Sequence, residues 1–439
     1  QKMENKNRLI IALFAVLFFT GLTFLPLYFM SLPIFILTLI AGFYLSKREK
    51  GDARHKLFAI FLIAYFARVI LALIFYKFSL DRGLLGFFSG TDDLAYGTLA
   101  LRLADTWRIA SFPDLMYVRL EMSPSGTIGF YQYYLTGLML ISRNSTFLPI
   151  IINCSIGALS IFVLRSICSR LFDKDNELSQ KAKFICITIF AFWPSLILWS
   201  TLNLKEAFTI FFFLFFILAI TKILSKKSNP LRTTTNIFLM MIFLFVLSLL
   251  RENMFYIVGG ALLLSMWAWG TAILPLGLKR FIVVFSAITI IALILIAVFS
   301  ESQFIKRFVE IVNTHRDFRT IGGSAILPDF QFQNFTDILL FLPRAIIIGF
   351  FSPLPWQVTS FKSFAAVPEM LLWYVLFLFC IRGIMLSIKS RRRSVYFLLV
   401  FGMLYFLSLG FLEGNAGTLF RHRAIVLPIA FIFISAGFV

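Results

Sequence analysis

Charge is scarce in this 439-residue chain: 14% of residues are charged and 60% are hydrophobic. With a mean hydropathy of +0.90, that balance excludes a water-soluble surface. Histidine is rarer still. His55, His315 and His422 are scattered along the chain, so no histidine pair suggests a metal. The four cysteines, Cys154, Cys168, Cys186 and Cys380, lie in or at the ends of apolar segments without metal-ligand spacing and read as packing residues. A GxGxxG fingerprint and a P-loop are both missing, which disfavours a nucleotide-fuelled transporter. Polar residues within the apolar runs are few, which argues against an ion pathway. Internal repeats, low-complexity tracts and soluble domains are also missing.

What the chain has instead is apolar sequence and phenylalanine, 56 of them. Runs such as 207–224 and 281–300 match the roughly 20 residues that cross a bilayer as helix. The expectation is therefore an all-α, polytopic membrane protein forming a single integral membrane domain over residues 1–439. Apolar stretches with polar breaks predict twelve spans, near 9–29, 31–46, 57–77, 146–164, 184–199, 207–224, 236–250, 254–275, 281–300, 369–388, 395–412 and 424–439. The first of these is expected to be a true span, because it is too long for a secretory signal.

The net charge of +20 orients these spans. Basic clusters at Lys47 to Lys56, Arg165 to Lys183, Lys222 to Arg232, Lys279/Arg280 and Lys389 to Arg393 all become cytoplasmic with twelve spans, as the positive-inside rule requires. Two more apolar stretches, 127–142 and 337–352, would break that arrangement if either were counted alone. They are expected to be juxtamembrane, interfacial or re-entrant helices on the outer side. The outer face then carries a long first loop, 78–145 with its juxtamembrane helix, and a second loop, 301–352. Loops that long are usually functional. Most of the excess positive charge stays inside, so nucleic acid is not an expected partner. Membrane lipids are.

The first chemical candidate is the carboxylate pair in Gly90-Thr91-Asp92-Asp93-Leu94-Ala95-Tyr96. A partly desolvated Asp can act as general base toward a hydroxyl. The structural alternative is a helix start, with Thr91 or Asp92 capping a helix from Leu94 to Trp107. A second group is Lys205-Glu206 and Arg251-Glu252, each opening a span at its outer end, where snorkelling at the interface is the competing explanation. Arg82, Arg102, Arg108, Arg119, Arg316, Arg319, Arg344, Arg421 and Arg423 join them on the outer side. Guanidinium forks suit phosphate oxygens, with binding of anionic lipid headgroups as the alternative. Third, Glu413 to Arg423 joins the last two spans; its glycines permit tight turns, and Arg421-His422-Arg423 is expected at the start of the final helix. His422 reads either as a proton carrier or as a hydrogen-bonded loop residue.

In series these features resemble the glycosyltransferase C superfamily, in the branch of protein O-mannosyltransferases and lipid A aminoarabinose transferases. The matching stretches are Asp92-Asp93-Leu94-Ala95-Tyr96-Gly97-Thr98-Leu99-Ala100, a juxtamembrane helix at 127–142, a basic turn from Arg165 to Phe172, the proline-containing span around Phe192-Trp193-Pro194-Ser195-Leu196, and Glu206 as second outer acid. The likeness covers roughly residues 80–225. It departs from the family in an extra N-terminal hairpin and in Lys205 before the second acid. Lys-Glu here, with the ending Gly-Thr-x-x-Arg-His-Arg, is also similar to proteins of bacterial polysaccharide clusters.

The resemblance implies an inverting glycosyltransferase taking a polyprenyl-phosphate or -diphosphate sugar donor on the periplasmic or extracellular face of a bacterial inner membrane. Its acceptor would be a glycan, lipid or protein. Asp92, Asp93 and Glu206 would be catalytic; Tyr96, Arg102, Lys205, Arg251, Arg344, Arg421, His422 and Arg423 would bind substrate. No cofactor is required; a divalent metal is compatible but not indicated. The alternatives are a polymerase or ligase of lipid-linked repeat units, as in O-antigen or exopolysaccharide assembly, and a lipid-linked glycan flippase or exporter. The flippase predicts a charged path through the bilayer core, where Arg68 is the clearest mid-span charge.

Overall fold

The computed structural model describes residues 31–87, 92–109, 129–172, 176–224, 230–273, 286, 303–320, 324–327, 330–357, 364, 366–390 and 392–439. Its helices are α1 (Ser31–Ser46), α2 (Gly51–Leu80), α3 (Asp92–Ile109), α4 (Phe130–Ile141), α5 (Phe147–Leu171), α6 (Glu177–Phe192), α7 (Pro194–Ser200) and α8 (Glu206–Ile223). Then follow α9 (Pro230–Leu250), α10 (Asn253–Ile273), α11 (Gln303–Thr320), α12 (Phe335–Phe351), α13 (Val367–Lys389), α14 (Arg393–Leu412), α15 (Ala416–Arg423) and α16 (Leu427–Phe438). Among the described residues the only extended pairing is an isolated antiparallel bridge between Ala325 and Asn415.

Seven of the described helices are long and apolar enough to cross a membrane, or up to nine if each of two bent pairs counts as one span. The chain is an all-α integral membrane protein. Each of the ten expected spans that fall on described residues coincides with one of these helices, a bent pair or the shorter apolar α1; the expected span 9–29 and, apart from residue 286, the expected span 281–300 lie outside the described residues. The stretches 127–142 and 337–352 form α4, of 12 residues, and α12, of 17.

Two elements differ from the sequence expectation. The predicted span 184–199 is broken at Trp193, with α6 and α7 bent by 52°. Pro194 has no N–H to give the helical ladder, and the residue before a proline avoids helical geometry. Similarly, Arg421-His422-Arg423 does not open the last helix. It ends α15, which is bent by 63° from α16. Asn415 caps α15 by accepting from the Gly417 and Thr418 N–H groups, Pro428 sits in the first turn of α16, and cations in a last helical turn complement its dipole.

The chain divides into two compact units. The first, 1–159 with 197–208, contains α1 to α4, the first half of α5 and the turn between α7 and α8. There α1 packs on α2 and α3 on α4. Arg68, on α2, is buried: its Nε donates to Ser200 Oγ at 3.0 Å and its Nη1 to the Ala64 carbonyl at 2.9 Å. The mid-span arginine is thus seated against the end of α7 through the Ser200 hydroxyl, where a cation complements the helix dipole.

The second unit, 160–196 with 209–439, holds the remaining helices. Within α9 only 11% of the most apolar window is buried; its Phe238, Met241 and Phe245 are exposed, as suits a helix facing lipid. By contrast, α13 crosses α16 and α12 crosses α14 at glycines. A Cβ added to Gly383 would fall on the Phe433 carbonyl oxygen, and one on Gly437 would meet that of Phe379. Gly349 and Gly410 face the carbonyls of Phe406 and Ala345 in the same reciprocal way. Such close backbone approach is how helices gain packing contacts where lipid removes the hydrophobic drive. Gly383→Ala is expected to destabilise the protein by about 1–3 kcal/mol in detergent thermal unfolding. Gly259→Ala, where an added Cβ meets nothing within 4 Å, should leave the midpoint close to that of the original chain.

Candidate functional site

In the first unit, α3 starts at the acidic pair, so both carboxylates lie in its first turn. Asp93 is 1% exposed, and its Oδ1 accepts from the Leu94 N–H at 2.8 Å. The pair thus lies at a helix start, where Asp93 holds the N–H of its own neighbour and Asp92 keeps part of its surface open. Thr91 lies outside the described residues, as does Arg119. A chain of amides and a phenol ties this helix start to the α7–α8 turn. Asn203 Nδ2 donates to the Asp93 carbonyl at 3.4 Å, and Tyr131 donates to Asn203 Oδ1 at 3.3 Å. Asn153 Nδ2, from α5, lies 3.3 Å from the Tyr131 oxygen and donates to the carbonyls of Leu202 and Leu204 at 2.8 and 2.9 Å.

That turn delivers Glu206, fully buried in the first turn of α8. Burial pushes the Tyr131 phenol well above its ordinary range, with Tyr134, Glu206 and Tyr96 adding to the effect. It therefore stays a protonated donor at every physiological pH. Tyr96 stacks edge-on against Tyr131 at 5.7 Å, and Tyr134 packs on Phe208 at 4.7 Å. The structure thus brings Tyr96 and Glu206 around one buried tyrosine, to which the Asp93 backbone is tied through Asn203. Lys205 is half-buried in the same turn, and Arg102 is exposed along α3. Arg108 is occupied by Asp105 and the Met139 carbonyl; Arg82 lies over the Phe78 ring.

The second unit holds the remaining candidates. Glu413, which ends α14, meets His422 of α15, with Nδ1 2.7 Å from Oε1 and side chains 1% and 8% exposed. Arg251, between α9 and α10, and Arg421, on α15, are the other charges acting on that imidazole. Arg251 is buried and Arg421 half-buried. Arg423 is turned elsewhere. Its Nη1 donates to the Ser352 carbonyl at 2.9 Å, its Nη2 to Met370 Sδ at 2.7 Å, and it lies over the Phe420 and Trp373 rings.

Arg344 is exposed on α12, beside Arg316. Arg316 itself is fully buried, held by the carbonyls of Phe411 and Ile326. Burial first, and then Arg344, lower its pKa. Around it Val309, Val312, Ile326, Phe332, Phe341 and Leu419 form an apolar core. There Gly414 serves close approach: an added Cβ would strike Thr320. The side chain of Arg319 lies outside what is described.

Sequence reasoning missed three residues. Asn153 and Asn203 join the acidic helix start to the Glu206 turn, and for Asn153 the signal was an amide inside an otherwise apolar span. Glu369, near the start of α13, is 4% exposed. It accepts from Trp193 Nε1 at 2.7 Å, from the Ser195 N–H at 2.6 Å and from Ser195 Oγ at 2.8 Å. A lone acid in a span is the kind of residue that demands a partner. Among the described residues no group of three or more His, Cys, Asp or Glu could hold a metal ion.

Fold and site together define an all-helical integral membrane protein with clusters of buried acid, amide, phenol and guanidinium. No protein-family model, curated protein or solved structure matches the chain.

Proposed function

We propose that the chain is an inverting glycosyltransferase that takes a polyprenyl-(di)phosphate sugar as donor on the non-cytoplasmic face and works in cell-surface glycan assembly. The observation that carries this reading is the first-unit network, in which Asp93, Asn203, Tyr131 and Asn153 hold the start of α3 to the turn bearing Glu206. A base must be held in fixed geometry to act. Asp93 is buried and bonded to the backbone of its own helix; Asp92 beside it keeps part of its surface open and is the group to meet a hydroxyl.

In the reaction the acceptor oxygen attacks the anomeric carbon and its proton passes to Asp92. The bond from that carbon to the phosphate oxygen breaks, its electron pair leaves with the lipid phosphate, and the configuration inverts. Lys205, in the same turn as Glu206, offers donors to the phosphate, where charge grows as the bond breaks. In the second unit, both guanidinium Nη atoms of Arg423 bond to protein, so it supports the fold there. The topology that goes with this reading has twelve spans, with α4 and α12 as outer juxtamembrane helices. Arg68, held by Ser200 and Ala64, serves packing rather than a charged path, which weighs against a flippase.

The test uses membranes containing the protein, given polyprenyl-phosphate and polyprenyl-diphosphate sugars carrying a radiolabel. Transfer of label to an acceptor with release of the lipid phosphate is expected. Lipid movement across proteoliposomes without any glycosyl transfer would overturn the reading.

A further inference from the structure

His422 has two unlike faces. Nδ1 is spent on Glu413 at 2.7 Å; with an ionised carboxylate as partner, that nitrogen carries the proton. Nε2 makes no hydrogen bond among the described residues, and the side chain keeps 8% of its surface open. A second proton, on Nε2, would place a third cation beside Arg251 and Arg421 against one carboxylate, which is costly. The ring is therefore neutral, and Nε2 presents a lone pair. A lone pair cannot satisfy a phosphate oxygen; it needs a donor.

We propose that Arg251, Arg421 and His422 form a subsite for a glycosyl phosphate, in which the guanidiniums take phosphate oxygens and His422 Nε2 accepts a hydrogen bond from a sugar hydroxyl. Glu413 is the positioning residue, fixing which ring nitrogen is the acceptor, as carboxylates do for histidines elsewhere. Two guanidiniums alone would accept any phosphate headgroup or free phosphate. The imidazole makes the site choose a ligand whose hydroxyl stands close to its phosphate. A site built to pair with a hydroxyl rejects the analogue lacking it, because the acceptor that the ligand covers is then left unpaired. The identity of the ligand as a sugar phosphate rests on the glycosyltransferase reading.

The experiment is calorimetric titration of the full-length protein in detergent with hexose 1-phosphate, each of its monodeoxy analogues, and inorganic phosphate. The original protein is expected to bind hexose 1-phosphate about tenfold more tightly than inorganic phosphate, and at least one deoxy analogue to lose that margin. In His422→Phe the two ligands should bind within about twofold of one another, whereas Arg421→Ala should weaken both. Equal binding of inorganic phosphate and hexose 1-phosphate, or no loss with any deoxy analogue, overturns the proposal. These two readouts need only the unaltered chain, so a variant that failed to fold would not blunt them. Hydroxyl-dependent binding without any transfer from lipid donors would sink the enzymatic reading and leave the subsite standing. Transfer with hydroxyl-blind binding would do the reverse.

Discussion

Replacing Asp92 with Asn is expected to lower glycosyl transfer by about 10²–10⁴-fold while leaving the protein folded, because a positioned general base contributes on that order. The amide is close in size to the carboxylate and can still stand in the first turn of α3, but it cannot take a proton. Asp93→Asn is expected to do something different. Asp93 is buried and holds the Leu94 N–H, so its loss should appear first in stability and only secondarily in rate. The measurement is transfer of labelled sugar from a polyprenyl-phosphate donor, with thermal unfolding in detergent run on the same preparations. If Asp92→Asn retained near-full transfer, Asp92 would not be the base; if Asp93→Asn alone abolished transfer without changing stability, the two roles would be exchanged.

Glu369→Ala should cost about 3–5 kcal/mol of stability, the penalty for removing one member of a buried, charge-bearing network. Three donors would lose their acceptor at once: Trp193 Nε1, the Ser195 N–H and the Ser195 hydroxyl. The Ser195 N–H lies in the first turn of a helix, where no intrahelical carbonyl can replace the lost partner. Arg423, which acts electrostatically on Glu369, would also keep its buried charge with that carboxylate gone. Glu369→Gln should be milder, since it preserves the shape and one acceptor oxygen. Thermal unfolding in detergent would rank the three proteins, and an alanine variant within about 1 kcal/mol of the original would mean that the break between α6 and α7 is held by something else.

Helix positions were legible in the sequence because a bilayer imposes a length on apolar runs. Every expected span on described residues meets a helix. The breaks were less legible. Pro194 announced an interruption, but its depth depends on Glu369, 174 residues away from Ser195, and a contact so distant leaves no local trace. Likewise Asn415 starts α15 and Pro428 starts α16, so a short polar helix precedes the last span, a capping decision that hydropathy alone does not register.

For the candidate site, the residue types were readable and their partners were not. Arginine content drew Arg251, Arg421 and Arg423 together as equivalent cations. Packing separates them: Arg423 is consumed by Ser352 and Met370, while Arg251 and Arg421 attend a histidine already paired to Glu413. Asn153 gave a weak signal, because one amide in a span says that a polar partner exists without saying where. Its partners proved to be the bare carbonyls of Leu202 and Leu204, which the sequence cannot display.

The reciprocal glycine crossings of α13 with α16 and of α12 with α14 bear on ancestry. Outer loops tolerate insertion and exchange as substrates change, so descendants of a common ancestor can lose every recognisable loop motif. A crossing with carbonyls where the side chains would be has no such latitude, since even a methyl group has no place to go. Gly349, Gly383, Gly410 and Gly437 are therefore the four positions at which relatives of this chain are expected to keep glycine even where their outer loops differ.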